Sequence, residues 1–199
     1  GFAFSNYDQV CAAIDGTLGA YIGAEISKVG LHVFEKVWDN GFRQVTTSGN
    51  PIQSAADLAG LKIRVPVSPI SISMFKGLGA SPTSLEFSEV YSALQTKIVD
   101  AQENPLPIIQ VAKLYEVQKS CAMTNHIWDG FWFIGNGRAF NGLPPDLKKI
   151  VSDAINNAGM KQRADIKTLN ENVVAGLKSK GMVFTQPAGD SFRGKLRDS

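Results

Sequence analysis

The sequence predicts an α/β fold, and three observations carry that prediction. Leu61, Ile63 and Val65 alternate with Lys62 and Arg64 and run into Pro66, the period-two signature of a half-buried strand that cannot be extended. Helical stretches at 68–76 and 88–96 follow, separated by Gly77, Gly79 and Pro82, and a further strand is expected at 98–102. Finally, Leu147, Ile150, Val151, Ala154, Ile155, Ala158, Leu169, Val173 and Leu177 form an apolar stripe along one helix from 145 to 180. At ~1.5 Å per residue that helix would be about 50 Å long, more than one small lobe can span.

The remaining elements are read in chain order. Ser5 or Asn6 can cap a first helix that carries Tyr7, Val10, Cys11, Ile14, Leu18, Tyr21 and Ile22 at helical spacing and stops at Gly30. A strand is expected at 31–37. A turn at Asn40-Gly41 then leads into a new strand. Ser54 or Asp57 starts a short turn before the Arg64 strand. After Pro66, the helix at 68–76 should point the free N–H groups of its first turn toward the end of that strand, with Ser68 at its start. Ser88 is a good N-cap, and Asn104 and Pro105 close the strand after it. A helix at 108–118, a strand-rich return at 122–133, a stop at Gly181 and a strand at 182–185 complete the chain.

At 199 residues the chain can form one domain or two small lobes, and 44% hydrophobic with 19% charged residues is ordinary for a globular protein. The formal net charge of +2 gives no reason to expect nucleic acid or an anionic membrane as partner. Cys11 and Cys121 fit no metal-ligand or CxxC spacing, so both are read as small buried apolar residues. No run approaches the ~18 to 20 apolar residues that span a bilayer. No secretion signal is visible, and the apolar start Gly1-Phe2-Ala3-Phe4 reads as entry into the middle of a fold.

Among candidate site residues Arg64 comes first. It lies near a strand end, where open α/β folds place their ligand clefts, and its planar fork can hold a carboxylate through two parallel bonds. Spacing alone favours a surface arginine on an edge strand. His32 and His126 belong to no ligand pattern, and Trp128, Phe131 and Trp132 could be core or ligand wall.

The set Trp38-Asp39-Asn40-Gly41-Phe42-Arg43-Gln44, Asp57-Leu58-Ala59-Gly60-Leu61-Lys62-Ile63-Arg64-Val65-Pro66, Leu78-Gly79-Ala80-Ser81-Pro82, Phe87-Ser88-Glu89-Val90-Tyr91 and Asp100-Ala101-Gln102-Glu103-Asn104-Pro105 narrows this reading. With Lys113-Leu114-Tyr115-Glu116-Val117 and Thr124-Asn125-His126, it resembles the periplasmic solute-binding subunits of TRAP transporters, the DctP family, in order and spacing. The resemblance implies a two-lobe periplasmic-binding-protein fold, N-terminally truncated here. Residues 1–41 and 130–168 would form part of lobe I, its N-terminal half absent, and 42–129 with 169–199 lobe II, the long helix lying across both. It implies an extracytoplasmic protein that closes around an organic-acid anion and delivers it to the TRAP membrane permease. Arg64 would anchor the carboxylate, with Arg43 a second cation, Asn104 an orienting donor, Phe87 and Trp128 apolar walls, and Ser68 at the helix start beside the ligand. No cofactor and no metal are expected, the location is periplasmic, and the protein is expected to be a monomer.

Two other classes remain at this point. An enzyme acting on a carboxylate would use Arg64 as clamp and His126 or Glu103 as acid or base, but no nucleophile elbow, phosphate loop or metal spacing accompanies them. An effector-sensing domain of a transcription regulator would need a helix-turn-helix with a basic surface, and none is visible.

Overall fold

A computed structural model of the chain describes residues 1–197. The elements in order begin with α1 (Tyr7–Ile14), α2 (Thr17–Ser27), β1 (Leu31–Val33), β2 (Trp38–Thr47), β3 (Lys62–Val65) and α3 (Pro69–Gly77). They continue with β4 (Ser81–Ser84), α4 (Val90–Gln95), β5 (Ala101–Pro105), α5 (Leu106–Val111), β6 (Ser120–Ala122), β7 (Trp128–Phe131) and β8 (Ile134–Asn136). The last are α6 (Gly137–Asn141), α7 (Pro145–Ser179), β9 (Val183–Thr185) and α8 (Gly189–Arg197). No helix among the described residues is long and apolar enough to cross a membrane.

The chain divides into two compact units, one of residues 1–3, 42–127 and 170–199, the other of 4–41 and 128–169. The first is a mixed sheet with strand order β4-β3-β5-β2-β6-β9. Strand β3 is parallel to β4 and β5, β2 is antiparallel to β5 and β6, and β6 is parallel to β9. Alternation along β6 shows how the sheet is covered: Cys121 faces one core and Ala122 the other. On one side Met74 and Phe75 of α3 and Phe192 of α8 pack with Ile63, Val65 and Leu58. On the other, Val90 and Leu94 of α4 and Ile109 of α5 pack with Val173 and Leu177 from the end of α7.

In the second unit β1 and β8 form a two-stranded antiparallel ladder, and β7 pairs with β2. The first part of α7 is fastened to β2 by polar contacts. The Gln162 amide bonds the backbone of Asp39 in both directions (2.9 and 2.6 Å), and Arg163 donates to the Val37 carbonyl and to Asp15. A groove of about 460 Å³ runs along α2, lined by Gly16, Gly19, Ala20 and Gly23 with Phe34 and Trp132.

Several expectations are met closely. The arginine strand, the Ser68 cap with Pro69 at the first turn, the long helix, and the stop at Gly181 with φ +89° all occur where the pattern placed them. Asn6 caps α1, its side chain accepting from the Gln9 N–H.

Others are corrected. The first helix breaks at Gly16 into α1 and α2, and a Cβ on Gly19 would sit 1.7 Å from the Ile14 carbonyl oxygen, so the close turn between the helices requires glycine. Asn40-Gly41 is not a turn: β2 runs through it, and Gly41 with φ +105° supplies a bend inside the strand. The strand expected at 31–37 ends at Val33. Glu86, not Ser88, stands at the cap after β4, in a reciprocal box with Glu89. The strand expected at 98–102 starts at Ala101, because the N–H groups of Ile98 and Val99 are still tied to Ala93 in α4. The helix expected at 108–118 is α5 followed by a 3-10 turn at Leu114–Glu116. Strand β4 and helices α6 and α8 had no clear pattern. Cys121 is buried as expected, but Cys11 is exposed, because α1 buries only Val10 and Ile14.

Candidate functional site

The register of β2, β3 and β5 gathers the polar residues of the first unit at one end of its sheet. Arg64 is aligned with Thr83 and Gln102 in its parallel neighbours, so it lies next to the C-terminal ends of β3 and β4 and beside the start of β5. Strand β2 runs the other way, which brings Arg43 opposite Pro105 and Gln44 opposite Asn104. Val45 faces Glu103, so Arg43, two residues earlier on the same face, is the diagonal neighbour of Glu103.

Arg43 uses that position fully. Its Nε donates to Glu103 Oε2, and Nη2 reaches Glu103 Oε1 at 2.8 Å, the Glu103 carbonyl at 2.8 Å and Asn104 Oδ1 at 3.2 Å. Glu103 is completely buried and also meets His126 Nε2 at 2.9 Å. The other ring nitrogen, Nδ1, is 2.7 Å from Thr124 Oγ1. An ionised carboxylate can only accept, so Nε2 carries a proton; the threonine hydroxyl can donate to Nδ1 of a neutral imidazole, the form that complete burial favours. Burial pushes the Glu103 carboxyl up, but the His126 hydrogen bond and the Arg43 charge outweigh it and hold the group below the usual carboxylate range. Burial pulls His126 below its ordinary value, against the opposing pull of Glu103.

The network continues on the other face of the strands. Asn104 Nδ2 donates to Gln102 Oε1 (2.6 Å), Gln102 Nε2 to Thr46 Oγ1 (2.8 Å), and Thr46 Oγ1 to Gln118 Oε1 (2.9 Å). Both polar atoms of the Asn104 amide are therefore held by protein groups. Such a chain rigidifies the strand ends that carry it.

Arg64 is different. It is 3% exposed, yet its recorded hydrogen bonds are from Nε and Nη2 to one acceptor, the Leu85 carbonyl, at 3.0 and 2.7 Å. No carboxylate among the described residues lies within ion-pair distance of it. Its Nη1 is unpartnered without being among the fully buried unpartnered atoms, so the guanidinium presents donors to an accessible point. Burial pulls its pKa down, with the more distant Glu103 and Glu86 opposing and Arg43 reinforcing. A cation in that condition is costly unless an anion is to meet it.

The other expected residues are placed as follows. Ser68 caps α3, accepting weakly from the Ser71 N–H at 3.4 Å. Phe87 is 47% exposed, beside the Glu86–Glu89 cap. Trp128 belongs to the second unit, where its indole N–H donates to Asp39 Oδ1 at 2.8 Å and its ring covers Gly130 so closely that a Cβ there would lie 2.2 Å from it. Of the two residues considered above as acid or base, Glu103 holds Arg43, and His126 holds Glu103. No local spacing could reveal this, because the partners are far apart in sequence and meet only through strand register. No group of three His, Cys, Asp or Glu able to hold a metal occurs among the described residues.

This triad makes stability pH-dependent in a fixed direction. Both His126 and Glu103 have lowered folded values, so between each folded value and its ordinary one the unfolded chain binds more protons, and stability rises with pH. On acidification the loss begins below the ordinary histidine value near ~6.5 and is joined by Glu103 below ~4.3. The melting temperature should therefore fall as pH drops from 7 to 5, with a slope of at most about 1.4 kcal/mol per pH unit from His126, and His126→Gln should flatten that part of the curve. A wild-type profile that is flat over this window would contradict the buried neutral assignment.

Comparison with known proteins agrees with this architecture. Residues 1–198 match the DctP family, described as bacterial extracellular solute-binding protein, family 7. The chain is 35% identical over 181 residues to the 2,3-diketo-L-gulonate-binding periplasmic protein of Escherichia coli, covering 91% of this chain and 55% of that protein. It is 43% identical over 156 residues to the sialic acid-binding periplasmic protein of Vibrio cholerae, covering 78% and 48%. Among solved structures it superposes on a TRAP periplasmic solute-binding protein from Polaromonas bound to D-erythronate, with TM-score 0.94, 32% identity, and coverage of 99% of this chain and 65% of the other. The chain thus spans about half the length of these two curated relatives. With its matched sequence and its fold, it belongs to the DctP family of TRAP-transporter solute-binding proteins, which are binding proteins and not enzymes.

Proposed function

We propose that the protein containing this chain captures an organic acid through its carboxylate in the periplasm and hands it to a TRAP membrane permease. The observation that carries this reading is Arg64, a buried guanidinium near the C-terminal ends of the parallel strands β3 and β4 whose only acceptor among the described residues is one backbone carbonyl. A carboxylate meeting its remaining N–H groups would form charge-assisted bonds worth ~1.5 to 3 kcal/mol each. Arg43 and Asn104 shape the strand end beside it, Ser68 starts the helix that follows the Arg64 strand, and Phe87 offers an exposed apolar surface for the rest of the acid. The two compact units correspond in this reading to the two lobes of the family. The acids in the relatives' names, a diketo sugar acid, sialic acid and erythronate, all carry the carboxylate this site would take.

A thermal-shift screen of the intact protein tests the reading. Ligand at 100 times its Kd stabilises the native state by ~2.7 kcal/mol, so at least one aldonate, keto sugar acid or sialic acid should raise the melting temperature by several degrees. No shift with any of these or with C4-dicarboxylates would count against carboxylate capture.

A further inference from the structure

We infer that the site selects singly charged acids over dicarboxylates, because its second arginine is already neutralised from within the protein. The inference rests on Arg64 being the carboxylate anchor, and adds a rule about the net charge of the cargo. Two arginines at one strand end suggest on paper a site for two carboxylates. The geometry removes one of them: Arg43 is bound along two edges of the Glu103 carboxylate, and Glu103 is wholly buried, so the pair carries no net charge. His126 adds none at pH 7.5: its contacts with Glu103 and the Thr124 hydroxyl admit a neutral ring, and its complete burial disfavours the charged one. The Asn104, Gln102, Thr46 and Gln118 chain that extends the network is uncharged.

The charged groups that act on Arg64 are Glu103, Arg43 and Glu86. The buried members, Arg64, Arg43 and Glu103, sum to one positive charge. Glu86 is exposed and negative, which works further against a second carboxylate. One anionic head therefore leaves the buried groups neutral, whereas a dianion leaves a desolvated negative charge without a partner. A dianion can avoid that penalty only by taking up a proton. Glu103 is thus a specificity residue that acts through Arg43.

Matched acids that differ only at the far carbon test this in the intact protein. D-erythronate and meso-tartrate share a skeleton and hydroxyl configuration, as do D-galactonate and galactarate. By calorimetry at pH 7.5 the monoacid of at least one pair should bind roughly tenfold or more tightly than its dicarboxylate. Measured in two buffers of different ionisation enthalpy, any dicarboxylate that does bind should take up one proton, and the monoacid none. Glu103→Gln, which frees the Arg43 charge, should move the ratio toward the dicarboxylate by roughly tenfold. Arg43→Gln combined with Glu103→Gln removes both charges and should restore the monoacid preference, which separates charge from disruption. The proton count is read on wild type and stands even if the variants do not fold. Dicarboxylate binding that is lost in Arg64→Met, equals the monoacid and takes up no proton would overturn the charge rule while leaving the anchor in place. Binding of neither class, or binding indifferent to Arg64, would overturn the anchor and the rule together.

Discussion

Replacing Arg64 with methionine is expected to separate binding from stability. Truncating one partner of a buried, hydrogen-bonded charge pair costs 2 to 5 kcal/mol of binding, roughly 30- to 5,000-fold in Kd for the acid that the wild type takes. The unliganded protein should lose less than about 2 kcal/mol, because removing a desolvated charge offsets the loss of the donors to the Leu85 carbonyl. In the wild type the guanidinium is desolvated, lacks an ion-pair partner among the described residues, and shares one carbonyl between two of its nitrogens. Methionine fills a similar volume without a charge to desolvate. Urea denaturation of the unliganded variant and calorimetry with the ligand read the two quantities separately. A variant that unfolds more easily by 2 kcal/mol or more would mean that Arg64 holds the strand end together and is not kept for an anion.

Glu103→Ala is expected to behave in the opposite way, costing about 3 to 5 kcal/mol of stability. Removing this carboxylate strands two buried groups at once. The Arg43 guanidinium loses its charge partner and keeps the residue 103 carbonyl and Asn104 Oδ1, while the His126 Nε2–H faces a void. The cost should be read as a lower midpoint in urea with the slope unchanged. Arg43→Met with Glu103→Leu should recover much of it, since an apolar pair of similar volume costs far less than one orphaned buried charge. A loss below about 1 kcal/mol for Glu103→Ala would show that water or a neighbouring group replaces the carboxylate, and that the triad is not the brace described above.

These two substitutions show where sequence reading reaches and where it stops. The strand around Arg64 was legible because alternation, Pro66 and the Ser68 cap are local rules that agree with one another over a few residues. The long helix was legible for the same reason, repeated over many turns. The break at Gly16 was not, because it depends on a helix-to-helix approach at Gly19 that no periodicity encodes. Nor was the exposure of Cys11, since an apolar residue at helical spacing is buried only if something packs on that side. The short elements β4, α6 and α8 fall below the length at which a pattern can be told from chance.

By itself, then, the sequence determined the α/β class, the strand that carries Arg64, the polar ends of the neighbouring strands, and a family resemblance specific enough to imply acid capture. What only the tertiary structure decided is the state of charge at the site. Arg43 and Arg64 look alike as residues. One is neutralised because antiparallel register sets a buried glutamate diagonally opposite it, and the other is left with a single carbonyl because the residues aligned with it in its parallel neighbours, Thr83 and Gln102, carry no carboxylate. Local sequence specifies how each strand forms, but the partner of a buried charge is chosen by which strands lie side by side, and that choice is made by packing across the whole sheet.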